Sequence, residues 1–173
     1  MIGFGRQGAR IAVAVLLAGA WVSPAGAQTP SVGAPAAFGV EGRVPILVAH
    51  AVGLQIYECE PTPGGALQWA FREPVASLIN AGKTIGVHYH GPTWRLDNGD
   101  VVKGKPSATA PGASAGDVAL LKLDVVEHQG SGALAGAKLV LRLNTSGGAL
   151  KGACTKPREL RAEPYSADYA FLR

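Results

Sequence analysis

Hydrophobic and polar residues alternate with a period of two along much of this chain. In the segment 51–59, Leu54 and Ile56 occupy one set of alternate positions, and Gln55 and Tyr57 occupy the other. Successive side chains of an extended strand point to opposite faces of a sheet. The pattern therefore predicts a β-strand in this segment.

Similar runs recur and are separated by turn residues. Strands are predicted at 44–49, 51–59, 67–71, 86–104 (a hairpin-like segment), 117–127, 138–144 and 163–171. Turns are predicted at 61–65, 80–83, 129–132 and 146–148, one short helical turn at 73–79, and an aperiodic loop at 106–116. Seven or eight short strands in this arrangement predict an all-β single domain, either an antiparallel β-sandwich or a small β-barrel.

Composition supports this fold class and limits the choice of partners. The 173 residues include 24 glycines and 12 prolines, and only 16% of residues are charged, which favours a turn-rich folded domain. The formal net charge is +4, but two of the 16 basic residues, Arg6 and Arg10, precede the predicted strands. The remaining 14 basic residues face 12 acidic ones, so charge gives no reason to expect nucleic-acid binding.

The N-terminus has the pattern of a secretory signal peptide over residues 1–27. Arg6 and Arg10 precede an apolar run at 11–22, and the small residues 25–27 form a cleavage site. The run is short for a membrane span, although an uncleaved anchor is the alternative. We therefore expect a periplasmic or extracellular protein without a transmembrane segment after cleavage, with a flexible tail at 28–43 and a β domain at 44–173.

The chain has two cysteines, Cys59 and Cys154. An even number of cysteines in an exported protein predicts a disulfide, and buried free thiols are the alternative. Their wide separation excludes a CxxC redox pair and a local zinc knuckle. We expect one Cys59–Cys154 bond.

The densest group of potential ligand contacts lies in the segment 86–104. His88, Tyr89, Trp94 and Asp97 are the candidate ligand-binding residues, because the aromatic rings next to a Gly-Pro corner offer a stacking surface. Ordinary packing of the aromatic pair is the alternative that the residue types favour. The residues 97–100 (DNGD) predict a β-turn, and they supply too few ligands for calcium.

His88 and His90 are separated by one residue, so on a strand they point to the same face. Two imidazoles could then share a zinc or copper ion, with a third ligand from His50, His128 or a carboxylate such as Asp97 or Asp100. The Gly-x-His-x-His pattern also resembles the copper strand of copper-zinc superoxide dismutases. Four histidines in the whole chain are too few for that dinuclear site, which leaves a degenerate mononuclear one. We predict no cofactor and keep zinc or copper as the alternative.

A wider set of motifs resembles a known family. They are LQIYEC at 54–59, GVHYHGPTW at 86–94, a D-x-G-D turn followed by VVKGK at 97–105, L-x-T-x-GG at 143–148, Cys154, and PYSADYAF at 164–171. Together they resemble the secreted bacterial and fungal proteins catalogued as domain of unknown function number 3455, over residues 44–171. The family pattern G-x-H-x-x-GP-x-W falls on Gly86, His88, Gly91, Pro92 and Trp94 and does not include His90. The resemblance implies no assigned activity.

These observations predict an exported, non-catalytic binding or envelope-associated module whose partner is a small ligand or an envelope component. A metal-dependent or redox enzyme using His88 and His90 is the competing hypothesis, and a secreted structural protein is a third. The chain has no GxSxG elbow, Walker loop, HExxH or GxGxxG motif. We expect His88 either to line a pocket with Trp94 or to anchor the adjacent turn through a buried hydrogen bond, and we favour the anchor.

Overall fold

The computed structural model describes residues 1–3 and 33–173, and the predicted signal peptide lies almost wholly outside these residues. The described chain forms a 3-10 turn at Ala36–Phe38 and eight strands. The strands are β1 (Pro45–Pro61), β2 (Leu67–Asn80), β3 (Lys83–Tyr89), β4 (Thr93–Leu96), β5 (Val101–Ala110), β6 (Leu120–Gln129), β7 (Leu139–Gly147) and β8 (Leu160–Leu172). None of the helical turns in these residues is long and apolar enough to cross a membrane.

The eight strands close into one antiparallel barrel in which each strand pairs with its neighbours in sequence. β8 returns to pair with β1, with Tyr165 opposite Gly53 and Asp168 opposite His50. The predicted all-β class is therefore confirmed, and the barrel is the form it takes. Closure leaves no open edge to the sheet, because the first and last strands satisfy each other's backbone groups.

In β1, apolar residues are exposed on the outer face and polar residues are buried on the inner face. Val52 and Leu54 lie on the outside of the barrel, 49% and 37% exposed, whereas Gln55 and Tyr57 are buried inside at 1% and 6% exposed. Gly53 also faces inward, where an added Cβ would lie within 2.6 Å of the Ala76 Cβ. The interior of the barrel is therefore partly polar on this strand.

Two groups of buried residues hold the barrel together. The first fills the interior and includes Leu78, Trp94, Leu123 and Phe171. The second lies on the outer face of β7 and β8, where Phe38 packs with Leu139, Leu141, Leu143, Ala170 and Leu172. Phe38 is only 1% exposed, so this part of the predicted N-terminal tail lies against the barrel.

The predicted helical turn at 73–79 is wrong. These residues belong to β2, where Val75 and Ser77 point outward and Ala76 and Leu78 point inward. Pro74 is opposite Gln55 of β1 and lies beyond the residues that pair with β3, a position at which a strand tolerates proline. Pairing with β1 along almost the whole of β2 outweighs the local preference for a helical start.

The predicted loop at 106–116 begins later than expected. β5 continues to Ala110, with Pro106 opposite Leu123 and Ala110 opposite Leu120 of β6. The register shifts between Pro106 and Ala108, which explains why the sequence of this half-strand shows no clean alternation. Only the residues from Pro111 onward are a loop.

The predicted disulfide is confirmed. Cys59 and Cys154 are bonded, with their Cα atoms 5.9 Å apart and a sequence separation of 95. The bond ties the end of β1 to the long connection between β7 and β8. The turn predicted at 97–100 is also present, with the Gly99 N–H donating to the Leu96 carbonyl at 3.0 Å and Gly99 at φ 92°.

Candidate functional site

One end of the barrel contains a cavity of about 650 Å³. This is the end of the barrel at which β1, β3 and β5 end and β2, β4 and β6 begin. Residues near those strand ends line the cavity. Its walls are mainly apolar and include Phe71, Leu121 and Leu123. Eight-stranded barrels have interiors of about the right width for one small ligand. The cavity volume lies within the range of small-molecule sites.

The floor of the cavity contains a stack of aromatic rings. His88 of β3 and Trp94 of β4 occupy opposed positions in the strand pair, and their rings are parallel with centroids 4.6 Å apart. Tyr169 of β8 packs against both rings, 4.8 Å from His88 and 5.2 Å from Trp94. All three side chains are at most 3% exposed. The stack is thus a rigid base for the cavity.

Two glycines make room for this stack. A Cβ at Gly86 would lie 2.2 Å from the Arg95 carbonyl oxygen, so β3 and β4 could not approach each other as they do. A Cβ at Gly104 would lie 3.1 Å from the Trp94 ring. The approach at Gly86 requires a residue without a side chain, and a Cβ at Gly104 would crowd the indole in the barrel interior.

The hydrogen bond made by His88 determines its chemistry. Its Nδ1 lies 2.9 Å from the Thr93 carbonyl oxygen, which can only accept, so Nδ1 carries the proton and Nε2 has the free lone pair. Burial, with a smaller contribution from the nearby Arg142 charge, lowers the pKa of His88 to about 4, and the Thr93 carbonyl partly opposes this shift. His88 is therefore a neutral imidazole at neutral pH.

Arg142 of β7 is a charged group near this stack, and its charge influences the pKa of both His88 and Tyr169. Its Nε donates to the Ala119 carbonyl at 2.9 Å, and its side chain is partly buried in the cavity wall. Burial raises the pKa of Tyr169, and the positive charge of Arg142 opposes that effect. Within residues 33–173 no carboxylate forms an ion pair with Arg142.

Several buried polar atoms have no hydrogen bond of good geometry within residues 33–173. They include the amide nitrogen of Gln55, the indole nitrogen of Trp94 and the hydroxyls of Tyr165 and Tyr169. The Tyr169 hydroxyl nevertheless lies beside Arg142 and Tyr165, and the Tyr165 hydroxyl lies beside Gln55. Gln55, Trp94 and Tyr169 also line the cavity. Buried polar groups in folded proteins are almost always hydrogen-bonded, so these atoms require water or a bound molecule as a partner.

Asp117 and Arg72, which also line the cavity, interact with other groups. Asp117 accepts from the Gly147 N–H at 2.7 Å and from the Ser114 N–H at 2.8 Å, and these hydrogen bonds lower its pKa. Arg72 lies 3.4 Å from Glu58 and 3.3 Å from Glu73. The carboxylate of Asp117 thus organises the loop rather than neutralising Arg142.

The structure brings together only some of the residues expected to form a site. His88 and Trp94 both line the cavity. Tyr89 follows His88 in β3 and therefore points to the outer face, where it is 38% exposed. Asp97 is exposed in the turn between β4 and β5. Tyr89 and Trp94 consequently share no stacking surface, because the barrel wall lies between their side chains.

The two histidines considered as metal ligands both border the cavity, but His90 lies in the turn after β3 and not on the strand. The described residues contain no group of three or more His, Cys, Asp or Glu side chains placed to hold a metal ion. The Nδ1 atom of His50 forms a 2.7 Å hydrogen bond with the Oδ1 atom of Asp168, and His50 does not line the cavity. Asp100 accepts from the N–H groups of the loop at 132–134.

Sequence reasoning missed Gln55, Arg142 and Tyr169. Each stands in a strand that was predicted correctly, and the polar positions of β1 were recognised as one face. A polar residue at an alternate strand position usually faces water, so its presence gave no sign of an interior position. Only closure of the barrel shows that these three side chains meet.

Comparison with known proteins gives a family but no activity. Residues 40–173 match the sequence profile of the family described as "Protein of unknown function (DUF3455)". No curated protein and no solved structure gives a significant match to the chain. The match covers β1 to β8 and the whole of the cavity, and we conclude that this chain belongs to the DUF3455 family.

Proposed function

We propose that this protein is a non-catalytic binding module that takes one small, largely apolar ligand into the open end of its barrel. The observation that carries the proposal is the cavity of about 650 Å³. It has apolar walls, an aromatic floor and a few polar groups without partners, which is the usual composition of a ligand site.

The state of the titratable groups supports binding over catalysis. A general acid or base needs a pKa near the working pH, whereas the pKa of His88 is held near 4 and its Nδ1 proton is engaged by the Thr93 carbonyl. Both oxygens of Asp117 accept backbone hydrogen bonds. His88 and Asp117 are therefore suited to fixing the structure of the cavity wall.

A metal-dependent or redox enzyme is the second candidate, because His88 and His90 border the same cavity. Its weakness is the lack of a third ligand among the described residues. Metal analysis of protein purified without a histidine tag separates the two hypotheses. Zinc or copper at one equivalent, lost in His88→Phe, would favour the enzyme, and substoichiometric metal in both proteins would favour the binding module.

Export to the periplasm or the extracellular space is part of the same proposal. The Cys59–Cys154 disulfide supports it, because structural disulfides persist mainly in oxidising compartments. Mass spectrometry of the protein recovered from the producing organism tests it. We expect a mature chain that begins near Gln28, and an intact chain retaining residues 1–27 in the cytoplasm would contradict it.

Ligand entry can be tested with N-phenyl-1-naphthylamine, an uncharged apolar probe whose fluorescence rises on leaving water. We expect saturable binding by the wild-type protein. Ala149→Trp places a large side chain in the cavity wall and should weaken binding by at least about tenfold, the effect of losing a buried apolar contact.

The matched control is Ala153→Trp, an exposed position on the same connection that does not line the cavity. It should bind the probe like the wild type. Equal binding by the wild type and Ala149→Trp would place the probe elsewhere, and no binding by any of the proteins would refute the proposed function.

A further inference from the structure

The positive charge of Arg142 is partly removed from water, which costs free energy unless an anion lies beside it. The side chain is partly buried between the cavity and the interior, and its Nε is engaged by the Ala119 carbonyl. A carbonyl is a dipole and leaves the net charge uncompensated. Charged groups taken out of water are normally paired with an opposite charge. Among residues 33–173, Arg142 therefore has no anionic partner to balance its partly buried charge.

No carboxylate of the described residues fills that role. The five ion pairs within residues 33–173 involve other cations. Asp117 is the acidic residue that lines the cavity, and its two oxygens accept from Gly147 and Ser114. Asp117 remains negatively charged, since backbone dipoles do not cancel its charge, but Arg142 and Lys151 together outweigh it. Apart from the ion-paired Arg72, the lining therefore has one net positive charge, which favours an anionic ligand.

The unpaired groups around Arg142 point to the same chemistry. The indole nitrogen of Trp94 can only donate a hydrogen bond, and the Tyr169 hydroxyl, which lies beside Arg142 and Tyr165, can also donate one. The amide nitrogen of Gln55 lies beside the Tyr165 hydroxyl. His88 supplies one acceptor, its Nε2. The cluster therefore has an excess of donors, and a ligand that satisfies it must bring acceptor atoms.

The shape of the guanidinium group limits the class of ligand further. With Nε engaged, Arg142 retains two terminal nitrogens, which match the two oxygens of a carboxylate. One unpaired arginine balances one negative charge. The apolar walls at Phe71, Leu121 and Leu123 then suit the rest of the ligand.

We propose that the cavity binds a monocarboxylate with an apolar body, such as a medium-chain or aromatic acid, with its carboxylate on Arg142. This assignment rests on the proposed binding function and specifies the ligand class. The carboxylate would act as the counter-ion of Arg142 and accept hydrogen bonds from the donors beside it. The apolar body would extend toward the open end of the barrel.

The test is competition against N-phenyl-1-naphthylamine at pH 8, using decanoate and decan-1-ol, which share a chain length and differ in charge. We expect decanoate to displace the probe from the wild type at about 10- to 100-fold lower concentration, the size of one charge-assisted interaction. In Arg142→Met, whatever its own affinity for the probe, decanoate and decan-1-ol should displace the probe at similar concentrations. Arg95→Met, at an exposed position on β4, should keep the wild-type preference.

If Arg142→Met fails to bind the probe, Arg142→Gln is measured in its place, because its amide can still donate to the Ala119 carbonyl. Equal competition by decanoate and decan-1-ol in the wild type would overturn the assignment while leaving the binding function intact. A preference for decanoate that survives in the neutral variant would overturn the role of Arg142. Stronger competition by decyl phosphate than by decanoate would overturn the carboxylate assignment, and absence of probe binding would refute the binding function itself.

Discussion

The imidazole of His88 lies parallel to the indole of Trp94, with ring centroids 4.6 Å apart and ring planes inclined by 6°. Cross-strand pairing of β3 and β4 sets this arrangement, because the two residues are directly opposed. The Thr93 carbonyl then fixes the orientation of the imidazole through Nδ1. His88 thus lines the cavity and also anchors the strand pair, so the two roles considered from the sequence coexist.

The first prediction concerns the pH dependence of stability. The pKa of His88 is about 4 in the folded protein and 6.5 ordinarily, so the unfolded chain binds the proton more readily. The contribution of neutral His88 is complete above about pH 6.5 and is lost as pH falls toward 4. We expect the free energy of unfolding, measured with urea, to fall by roughly 3 kcal/mol across this interval.

His88→Phe is the control, since phenylalanine retains a ring against Trp94 but does not titrate. Its stability should change much less between pH 6.5 and 4. The carboxylates Asp100 and Asp117 have lowered pKa values and act in a different interval, because their contribution is lost only below about pH 3.8. Equal slopes for the wild type and His88→Phe between pH 6.5 and 4 would contradict the assignment.

The second prediction concerns Asp100, which is 1% exposed. Burial raises its pKa, but donation from the Leu134 and Gly132 N–H groups and from the Asn98 side chain outweighs that effect and lowers the pKa overall. Asp100→Asn replaces one acceptor oxygen with a donor and leaves a backbone N–H without a partner. We expect a loss of about 1–3 kcal/mol in urea unfolding.

Asp97→Asn, in the same turn, is the matched variant. Asp97 is exposed, so its substitution should leave the unfolding midpoint near the wild-type value. If the two substitutions cost the same, the loop at 132–134 does not depend on the Asp100 carboxylate.

The third prediction tests the close approach of β3 and β4. Gly86→Ala introduces a Cβ 2.2 Å from the Arg95 carbonyl oxygen, and the strands must separate to admit it. We expect a loss of roughly 2 kcal/mol or more, together with a change in the near-ultraviolet circular dichroism of Trp94. Gly64→Ala, in an open turn where the nearest atom is 3.9 Å away, should leave both measurements unchanged. Unaltered stability of Gly86→Ala would show that the strands accommodate a side chain there.

The fourth prediction concerns the disulfide. Cys59→Ser with Cys154→Ser opens a link between residues separated by 95 positions, for which chain entropy gives about 4–5 kcal/mol. We expect the double variant to melt several degrees lower than the oxidised wild type. Melting at the same temperature in oxidised and reduced wild-type protein would show that the link does not constrain the unfolded chain.

The periodicity of β1 and β7 and the turn residues at 97–100 were sufficient to predict an all-β domain with strands near the observed positions. The two cysteines were sufficient to predict the disulfide. These features depend on side-chain alternation and backbone conformation within a few residues, or on there being one possible pair. The misplaced segments, 73–79 and 106–110, are those where pairing with a neighbouring strand outweighed local preference.

The sequence could not indicate which face of each strand points into the barrel. In β1 the apolar positions Val52 and Leu54 point outward and Gln55 points inward, the reverse of a strand with one face in water. Arg142 likewise stands between two leucines that pack outward under Phe38. Tertiary structure decides this, because a closed sheet with a second core outside it buries parts of both faces. The cavity, and the position of Arg142 in its wall, exist only once β8 has closed against β1.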